Sequence, residues 1–564
     1  MSFCALSHSA STAIWLRAHR WPALYRTRGR ITSLSLCRHV LDRLAPTLHQ
    51  HRGCNLIDFK PGGGPWTAQL IDALQPTIHV EVGTRSPRRA RDPTTSHLHP
   101  STQPLHRHAR SLRDCFDPSR QLLSPDVLAT TNGGYMTANN ALLITANLSG
   151  AAMSTSRFLG SPAAYFFNDL YAALFGLRDD LFRHGLVRVL AWLPDPIVRS
   201  LMPRGVESRS KQSIKLEAAF AMTQIAGTVR GTPAEPDKRW HALEAENYSA
   251  VQSEAGHTPT SRQDVPPLPM LTGLPPDPTI LRTAQYSSGA TFIDDWLHLD
   301  AELRDKYPDW FASRAYARLP RRSRPMEDRQ LTKWRTYHAR ARTLHTRHHK
   351  IASAVSMQRA VDAKYRELFA KQTPPDEDSL QQVHSQAAQA SAALQSLSRE
   401  GQIQAKKAID DYRAYDSSPI ALEWNKRSLD PLVVQANEFR PEQPLALVVL
   451  TARPGFRITL DTDSKVTCFD YILNLLSSRL SSSVLEALQT FIHGPVDDFI
   501  ETVPSLTDPV KGGCLNLAHL RVRSLPAATF VEIAVAYEKW PLRPDTTKMM
   551  LDMSKEATFI PDDD

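Results

Sequence analysis

Residues 56–67 read Leu56-Ile57-Asp58-Phe59-Lys60-Pro61-Gly62-Gly63-Gly64-Pro65-Trp66-Thr67, a short apolar run that ends in an acid and then a turn of proline and glycines. Such a run suits a buried parallel strand, and the glycines permit a tight turn and close ligand approach. A helix is expected over 66–74. After Gln75-Pro76 a second run, Ile78-His79-Val80-Glu81-Val82, places a carboxylate at a strand end. It lies about twenty residues beyond the glycines, where a carboxylate can accept both hydroxyls of an adenosine ribose. The pattern is a βαβ start with two polar anchors, a nucleotide-type ligand site. The glycine spacing is not G-x-G-x-x-G, and Pro61-Gly62, three residues after Asp58, suits the methyltransferase version of a Rossmann-like unit better than the dinucleotide version. The competing reading is a glycine-rich surface turn.

A third run, Ala141-Leu142-Leu143-Ile144-Thr145-Ala146-Asn147-Leu148-Ser149-Gly150, also fits a buried strand. It ends in Asn147 at the carboxyl edge, where open α/β sheets bind ligands. The order of these segments, the leading Arg28-Gly29-Arg30-Ile31-Thr32-Ser33 and the later Gly185-Leu186-Val187-Arg188-Val189-Leu190-Ala191-Trp192-Leu193-Pro194 resemble the rRNA adenine N6-dimethyltransferase superfamily. More closely, they resemble its fungal mitochondrial transcription factor B branch. The segment Leu422-Glu423-Trp424-Asn425-Lys426-Arg427-Ser428-Leu429-Asp430-Pro431-Leu432 is similar to the family's Trp-Asp-Arg-Arg-Pro-x-Glu-Pro-Leu, with departures at Asn425 and Asp430. Glu438-Phe439-Arg440-Pro441, Leu520-Arg521-Val522-Arg523-Ser524-Leu525 and Trp540-Pro541-Leu542-Arg543-Pro544 follow in the same order.

The resemblance implies an α/β, Rossmann-like S-adenosylmethionine-dependent methyltransferase fold with an α-helical C-terminal region and long insertions. It implies S-adenosyl-L-methionine contacts from Leu34, Asp58, Lys60, Gly62, Gly64, Glu81 and Asn147, with Asn147 as the catalytic residue if the chain is active. The family's acid after the third strand falls at Asp114 or Asp117. In the dimethylases the strand ends in Asn-Leu-Pro-Tyr, whose Asn and Pro bind the adenine amino group while the aromatic ring stacks on the flipped base. Here Asn147 and Leu148 remain, but Ser149 and Gly150 replace the proline and the ring. A stacking surface worth about 1–3 kcal/mol per base is missing unless Phe158, Tyr165 or Phe166 supplies it. Lys60 stands where the enzymes have a glycine, a cation beside the cofactor's sulfonium. The plain alternative for Asn147 is a strand-end residue that satisfies a turn backbone.

At 564 residues the chain has room for two or three domains, and its 41 prolines imply much linking sequence. A net charge of +9 suits a protein that binds polyanions, since Lys and Arg release counterions condensed on phosphates. The first 41 residues hold no Asp or Glu but carry Arg17, Arg20, Arg26, Arg28, Arg30 and Arg38 among serines. That is the pattern of a mitochondrial transit peptide, expected over 1–27, and it places the protein in the matrix. No apolar run approaches the roughly 18 residues of a membrane span. Cys4, Cys37, Cys54, Cys115, Cys468 and Cys514 lack C-x-x-C spacing, so neither zinc nor a disulfide framework is indicated. His97, His99, His106 and His108 sit in a low-complexity stretch without carboxylates, and no metal site is expected there.

The expected organisation is an α/β domain over 28–232 carrying a disordered insertion at 84–124, and a Pro/Ser/Thr-rich linker over 233–300. A basic helical insertion over 301–413 and a C-terminal domain over 414–564 follow. An amphipathic helix is expected between Leu216 and Gly227, two β-like runs between Leu445 and Leu460, and a helix from Tyr471 to His493 with core leucines. Residues 378–412 suit a helical hairpin with the helix before them. In the basic insertion, Arg314, Arg318, Arg321, Arg322, Lys333, Trp334, Arg335, Arg340 and Arg342 mix cations with an aromatic, as single-stranded nucleic-acid sites do. The alternative there is a solvated helix whose aromatics pack on a core.

These readings imply a mitochondrial transcription initiation factor that binds the single-subunit mitochondrial RNA polymerase and promoter DNA for recognition and melting. The alternatives are an S-adenosylmethionine-dependent dimethyltransferase acting on mitochondrial small-subunit rRNA, and a general RNA-binding or ribosome-assembly protein that kept the fold alone.

Overall fold

A computed structural model describes residues 29–59, 64–82, 102–105, 136–149, 162–174, 181–182, 185–228, 292–312, 329–371 and 376–558. The described residues divide into two compact units, one of 29–228 with 414–558 and the other of 292–413.

The first unit begins with β1 (Arg30–Ile31), α1 (Leu34–Leu48), β2 (Asn55–Phe59), α2 (Pro65–Leu74), β3 (Ile78–Val82), β4 (Thr102–Leu105) and β5 (Ala138–Asn147). It continues with α3 (Pro162–Leu174), β6 (Leu186–Pro194), α4 (Asp195–Leu201), α5 (Lys211–Ala219) and β7 (Phe220–Gly227). Seven longer strands and the two-residue β8 (Leu432–Val433) form one mixed sheet in the order β4-β3-β2-β5-β6-β10-β7-β8, where β10 spans Leu445–Ala452. From β4 to β6 all neighbours are parallel, while β10 runs antiparallel between β6 and β7. The sheet is mostly parallel and compatible with a Rossmann-like fold.

The central strands are apolar on both faces because both faces are covered. Ile57, Ile144, Val189, Ala191 and Val448 point into one core, whereas Leu56, Leu143, Leu190, Trp192 and Leu447 point into the other. The second core packs against α1 and α2. The first packs against α3, α4 and α5 and against the C-terminal helices, α11 (Pro454–Thr459), α12 (Asp463–Ser477), α13 (Val484–Gln489), α14 (Val496–Glu501), α15 (Ala527–Lys539) and α16 (Thr546–Thr558). The residues expected to form a separate C-terminal domain therefore supply a central strand and one covering layer of the sheet.

Four local expectations change. The helix anticipated over 216–227 stops at Ala219, and residues 220–227 form β7, which alternates buried and less buried positions and pairs with β10. Of the two β-like runs, the second is the short helix α11, opened by Pro454 at its first position. Within the stretch 84–124, expected to be disordered, residues 102–105 form β4, where Pro104 is tolerated because β4 is the sheet's edge strand and only one of its sides donates to a ladder; the rest of that stretch lies outside the described residues. Between Tyr471 and His493 the chain forms α12 and α13, broken near Ser483, which caps α13. Leu473, Leu476 and Leu488 lie in the core.

The second unit contains α6 (Ile293–Lys306), α7 (Pro308–Ala312), the 42-residue α8 (Arg329–Ala370), α9 (Glu377–Gln395) and α10 (Arg399–Asp416), whose last turn enters the first unit. Phe292, Trp296, Leu303, Phe311, Leu331 and Trp334 form one small core between α6, α7 and the start of α8. The rest of α8 packs against the helical pair α9 and α10 through Ile351, Val355, Val361 and Leu368. A two-residue β9 (Phe439–Arg440) in the first unit pairs antiparallel with β1.

Candidate functional site

Strand β2 lies between β3 and β5, and its connections run outward in one direction while those of β5 run in the other. That divergence is the topological switch point at which open α/β sheets bind ligands. The register sets Asp58 beside Glu81 on one side and Thr145 on the other, all buried, with Asn147 at the carboxyl end of β5. The Thr67 hydroxyl donates to Asp58 Oδ2 at 2.6 Å, and the Trp66 indole donates to Thr145 Oγ1 at 3.0 Å. Sequence reasoning named Asp58, Gly64, Glu81 and Asn147, and the fold brings these four to one sheet edge. Leu34 stands instead at the start of α1 with half its surface exposed. Lys60, Gly62, Asp114, Asp117 and Phe158 lie outside the described residues. Phe166 is a core residue against Phe59.

A strap formed by Gly29–Ile31 crosses this edge. The Asn147 amide donates to the Gly29 carbonyl at 3.0 Å, and Asn147 Oδ1 accepts from the Ser149 backbone at 3.2 Å. The Ser149 hydroxyl lies 2.5 Å from Asn147 Oδ1 and 3.1 Å from the Gly29 carbonyl, and its single proton serves one of them at a time. Further along the strap, a Cβ at Gly64 would sit 2.2 Å from the Ile31 carbonyl, so only glycine fits beneath it. The strap is anchored by the β1–β9 ladder and by Thr32, whose N–H and hydroxyl both donate to the Glu438 carbonyl at 2.8 and 2.9 Å. Between Ile31, Asp58, Gly64, Trp66 and Asn147 there remains a cavity of about 10 Å³, room for about one water molecule.

Ser149 and Gly29 are the residues sequence reasoning missed as a pair. Ser149 drew notice only as a lost proline. The available signal was a hydroxyl two residues after an Asn at a strand end, a pattern that satisfies local backbone.

In the helical unit Lys333, Arg340 and Arg342 are exposed and Arg335 is half-buried on α8, while Arg314, Arg318, Arg321 and Arg322 lie outside the described residues. Trp334 is 1% exposed. Its indole donates to Asp300 Oδ1 at 2.8 Å, and its ring stacks on His338 at 4.8 Å and meets Phe311 edge-on at 5.1 Å. The indole expected as a stacking surface is thus committed to a core, because α6 and α7 supply apolar partners on that side of α8.

The later segments that carried the resemblance serve the first unit's interior. Trp424 is buried, with the guanidinium groups of Arg204 and Arg427 at 4.4 and 4.2 Å from its ring. Asp430, one of the departures, accepts from Arg427 Nε at 2.9 Å. Glu423 accepts from the Met222 N–H at 3.1 Å and pairs with Arg453 at 2.7 Å and with Lys426. Leu520, Val522 and Leu525 are fully buried, and Trp540 donates to the His493 carbonyl at 3.0 Å.

No model of a known protein family matches this chain, and no curated protein matches it either. Among the described residues, no helix is long and apolar enough to cross a membrane, and no group of three or more His, Cys, Asp or Glu is placed to hold a metal ion.

Proposed function

We propose that the chain is a mitochondrial transcription initiation factor, acting in the matrix on a methyltransferase-like α/β scaffold. On this reading it binds the single-subunit mitochondrial RNA polymerase and promoter DNA and helps to melt the promoter. The observation that carries the reading is the commitment of Asn147: the side chain that a dimethylase offers to its target base is held here by Gly29 and Ser149. A base-capturing enzyme needs that amide oxygen open and an aromatic ring after it, and this sequence has Ser149-Gly150 instead. S-adenosylmethionine is then a vestige of the scaffold. The strand order supports the scaffold, since an antiparallel strand interrupts the dinucleotide-type 3-2-1-4-5-6 order between its fifth and sixth members, as expected of a methyltransferase-type sheet. The acid-free, arginine-bearing leader supports the compartment.

The test is promoter-specific run-off transcription by the cognate mitochondrial polymerase on duplex and on pre-melted templates, with and without the protein lacking residues before Arg28. Product that requires the protein only on duplex supports a melting factor; no requirement on either template overturns the reading.

The second reading, an rRNA adenine dimethyltransferase, is favoured by the two buried carboxylates Asp58 and Glu81 in register at the switch point. Glu81→Ala separates the two: the enzyme reading requires loss of methyl transfer to small-subunit rRNA, whereas the factor reading requires near-normal initiation.

A further inference from the structure

We propose that the strap Gly29–Ile31 is an internal pseudo-ligand: it occupies a nucleoside site at the switch point, and an external nucleoside binds there only when the strap lifts. This deepens the scaffold part of the function proposed above and rests on it. The chemistry of the edge names the ligand class, because Asp58 and Glu81 lie in register as carboxylates suited to ribose hydroxyls and Asn147 ends the neighbouring strand. Each feature that marks this edge is answered by the chain itself. A glycine after β2 lets a ligand approach the backbone closely. At Gly64 that approach is taken by the Ile31 carbonyl, whose oxygen lies 2.2 Å from where a Cβ would stand. The amide donor of Asn147 is taken by the Gly29 carbonyl at 3.0 Å, and its acceptor by the Ser149 N–H at 3.2 Å. The strap thus turns two carbonyl oxygens to the edge, as a ligand would, and Ile31, Gly64 and Asn147 share one small cavity with Asp58.

The fastenings of the strap are of a kind that opens locally. Its ladder with β9 is two residues long, and Thr32 adds two bonds to a single carbonyl, that of Glu438. Ile31 is the one strap side chain in the apolar core. Short pairings at an edge open at a free energy well below that of global unfolding. Close passage sets the closed position, since a Cβ at Gly29 would lie 2.9 Å from Ser149 Oγ and 3.0 Å from its Cβ. A ligand that binds only the open form shifts the population toward it. Its apparent Kd is the intrinsic Kd divided by the open fraction, so strap opening and nucleoside affinity must change by the same factor.

The experiment pairs two measurements on the full chain: hydrogen exchange of the amides of 29–33, read by mass spectrometry, and equilibrium dialysis with adenosine as the probe. The parent is compared with Gly29→Ala, which crowds Ser149, and with Thr32→Val, which removes the hydroxyl bond to Glu438 and keeps the backbone one. Gly29→Ala should speed strap exchange by roughly tenfold or more and lower the apparent Kd for adenosine by the same factor; Thr32→Val should give a smaller change, again equal in both. Adenosine added to the parent should itself speed strap exchange. Faster exchange with unchanged adenosine affinity overturns the proposal. So does adenosine that slows strap exchange, which would make the strap a lid over its ligand, and so does the lack of binding by every form at about 10 mM. If circular dichroism shows that Gly29→Ala does not fold, Thr32→Val and the response of the parent to adenosine decide the matter. Because no polymerase or promoter is present, failure here is distinguishable from failure of the initiation assay.

Discussion

Arg209 and Glu217 meet at 2.6 Å with neither side chain exposed to solvent. Arg209 is further held by the carbonyls of Arg523, at 2.9 Å, and Leu525, so this pair ties α5 to the chain ahead of α15. Both of its bonds to Glu217 fall on one oxygen, Oε2, while Oε1 is buried without a hydrogen-bond partner among the described residues. Burial outweighs the attraction of Arg209 and pushes the Glu217 carboxyl up to about 7.

Removing one partner strands a buried charge or polar group. Arg209→Leu should therefore destabilise the first unit by about 3–5 kcal/mol at pH 8, and adding Glu217→Leu should restore much of that loss. Urea unfolding of the single and double variants checks it; additive losses would show that the two residues act separately.

The same carboxyl sets a pH dependence. Between the unfolded value of 4.5 and the folded value near 7, the native state keeps a proton that the unfolded chain has released. Stability should thus fall as pH rises through this window, by at most about 1.4 kcal/mol per pH unit. Glu217→Gln should flatten the profile of urea midpoints between pH 5 and 7.5.

His51 acts in the opposite sense. It is buried, with Nδ1 3.0 Å from the Asn140 carbonyl, and burial together with the Arg188 charge pushes it down to about 4. The unfolded chain takes up a proton first as pH falls below 6.5, so stability should decline between about pH 6.5 and 4. His51→Gln should remove that decline, measured against the parent at pH 7 and pH 5.

Gly64 lies under the Ile31 carbonyl, and a methyl group there would overlap it at 2.2 Å. Gly64→Ala should lift the strap or destabilise the edge by about 1–3 kcal/mol. Limited proteolysis should then cut faster ahead of Leu34, and unchanged cutting would mean that the strap does not depend on this contact.

Trp334→Ala should weaken the helical unit by about 3–5 kcal/mol, as expected for a large buried ring, whereas Trp334→Phe should be much milder. Thermal unfolding followed by far-ultraviolet dichroism checks the order of the two.

The strands β2, β3, β5 and β6 and helix α2 were legible because a strand covered on both faces must be a continuous apolar run, and each run ends at glycine, proline or a polar residue. Strand β7 was not legible. Leu216-Glu217-Ala218-Ala219-Phe220-Ala221-Met222 continues a helical pattern, and only pairing with β10, in which Val449 meets Thr223, makes Phe220 leave it. At the site, strand-end reasoning found Asp58, Glu81 and Asn147 because each closes an apolar run. The strap eluded it because Gly29 touches Ser149 across 120 positions of chain and offers only a carbonyl, which every residue has. In the basic insertion, Trp334 looked like its exposed neighbours because α6, which buries it, has no sequence mark that names α8 as its partner.

The placement of β10 sets an order on synthesis. Strands β6 and β7 leave the ribosome early, yet the strand that separates them ends at Ala452, after the whole helical unit has been made. Until then the nascent chain carries two apolar strands with open ladders, the kind of edge that recruits other chains. A fragment ending anywhere between residues 228 and 445 should therefore aggregate instead of yielding a smaller α/β protein. Excision of 230–413 in favour of a short linker should instead bring the missing strand forward and improve the yield of folded material.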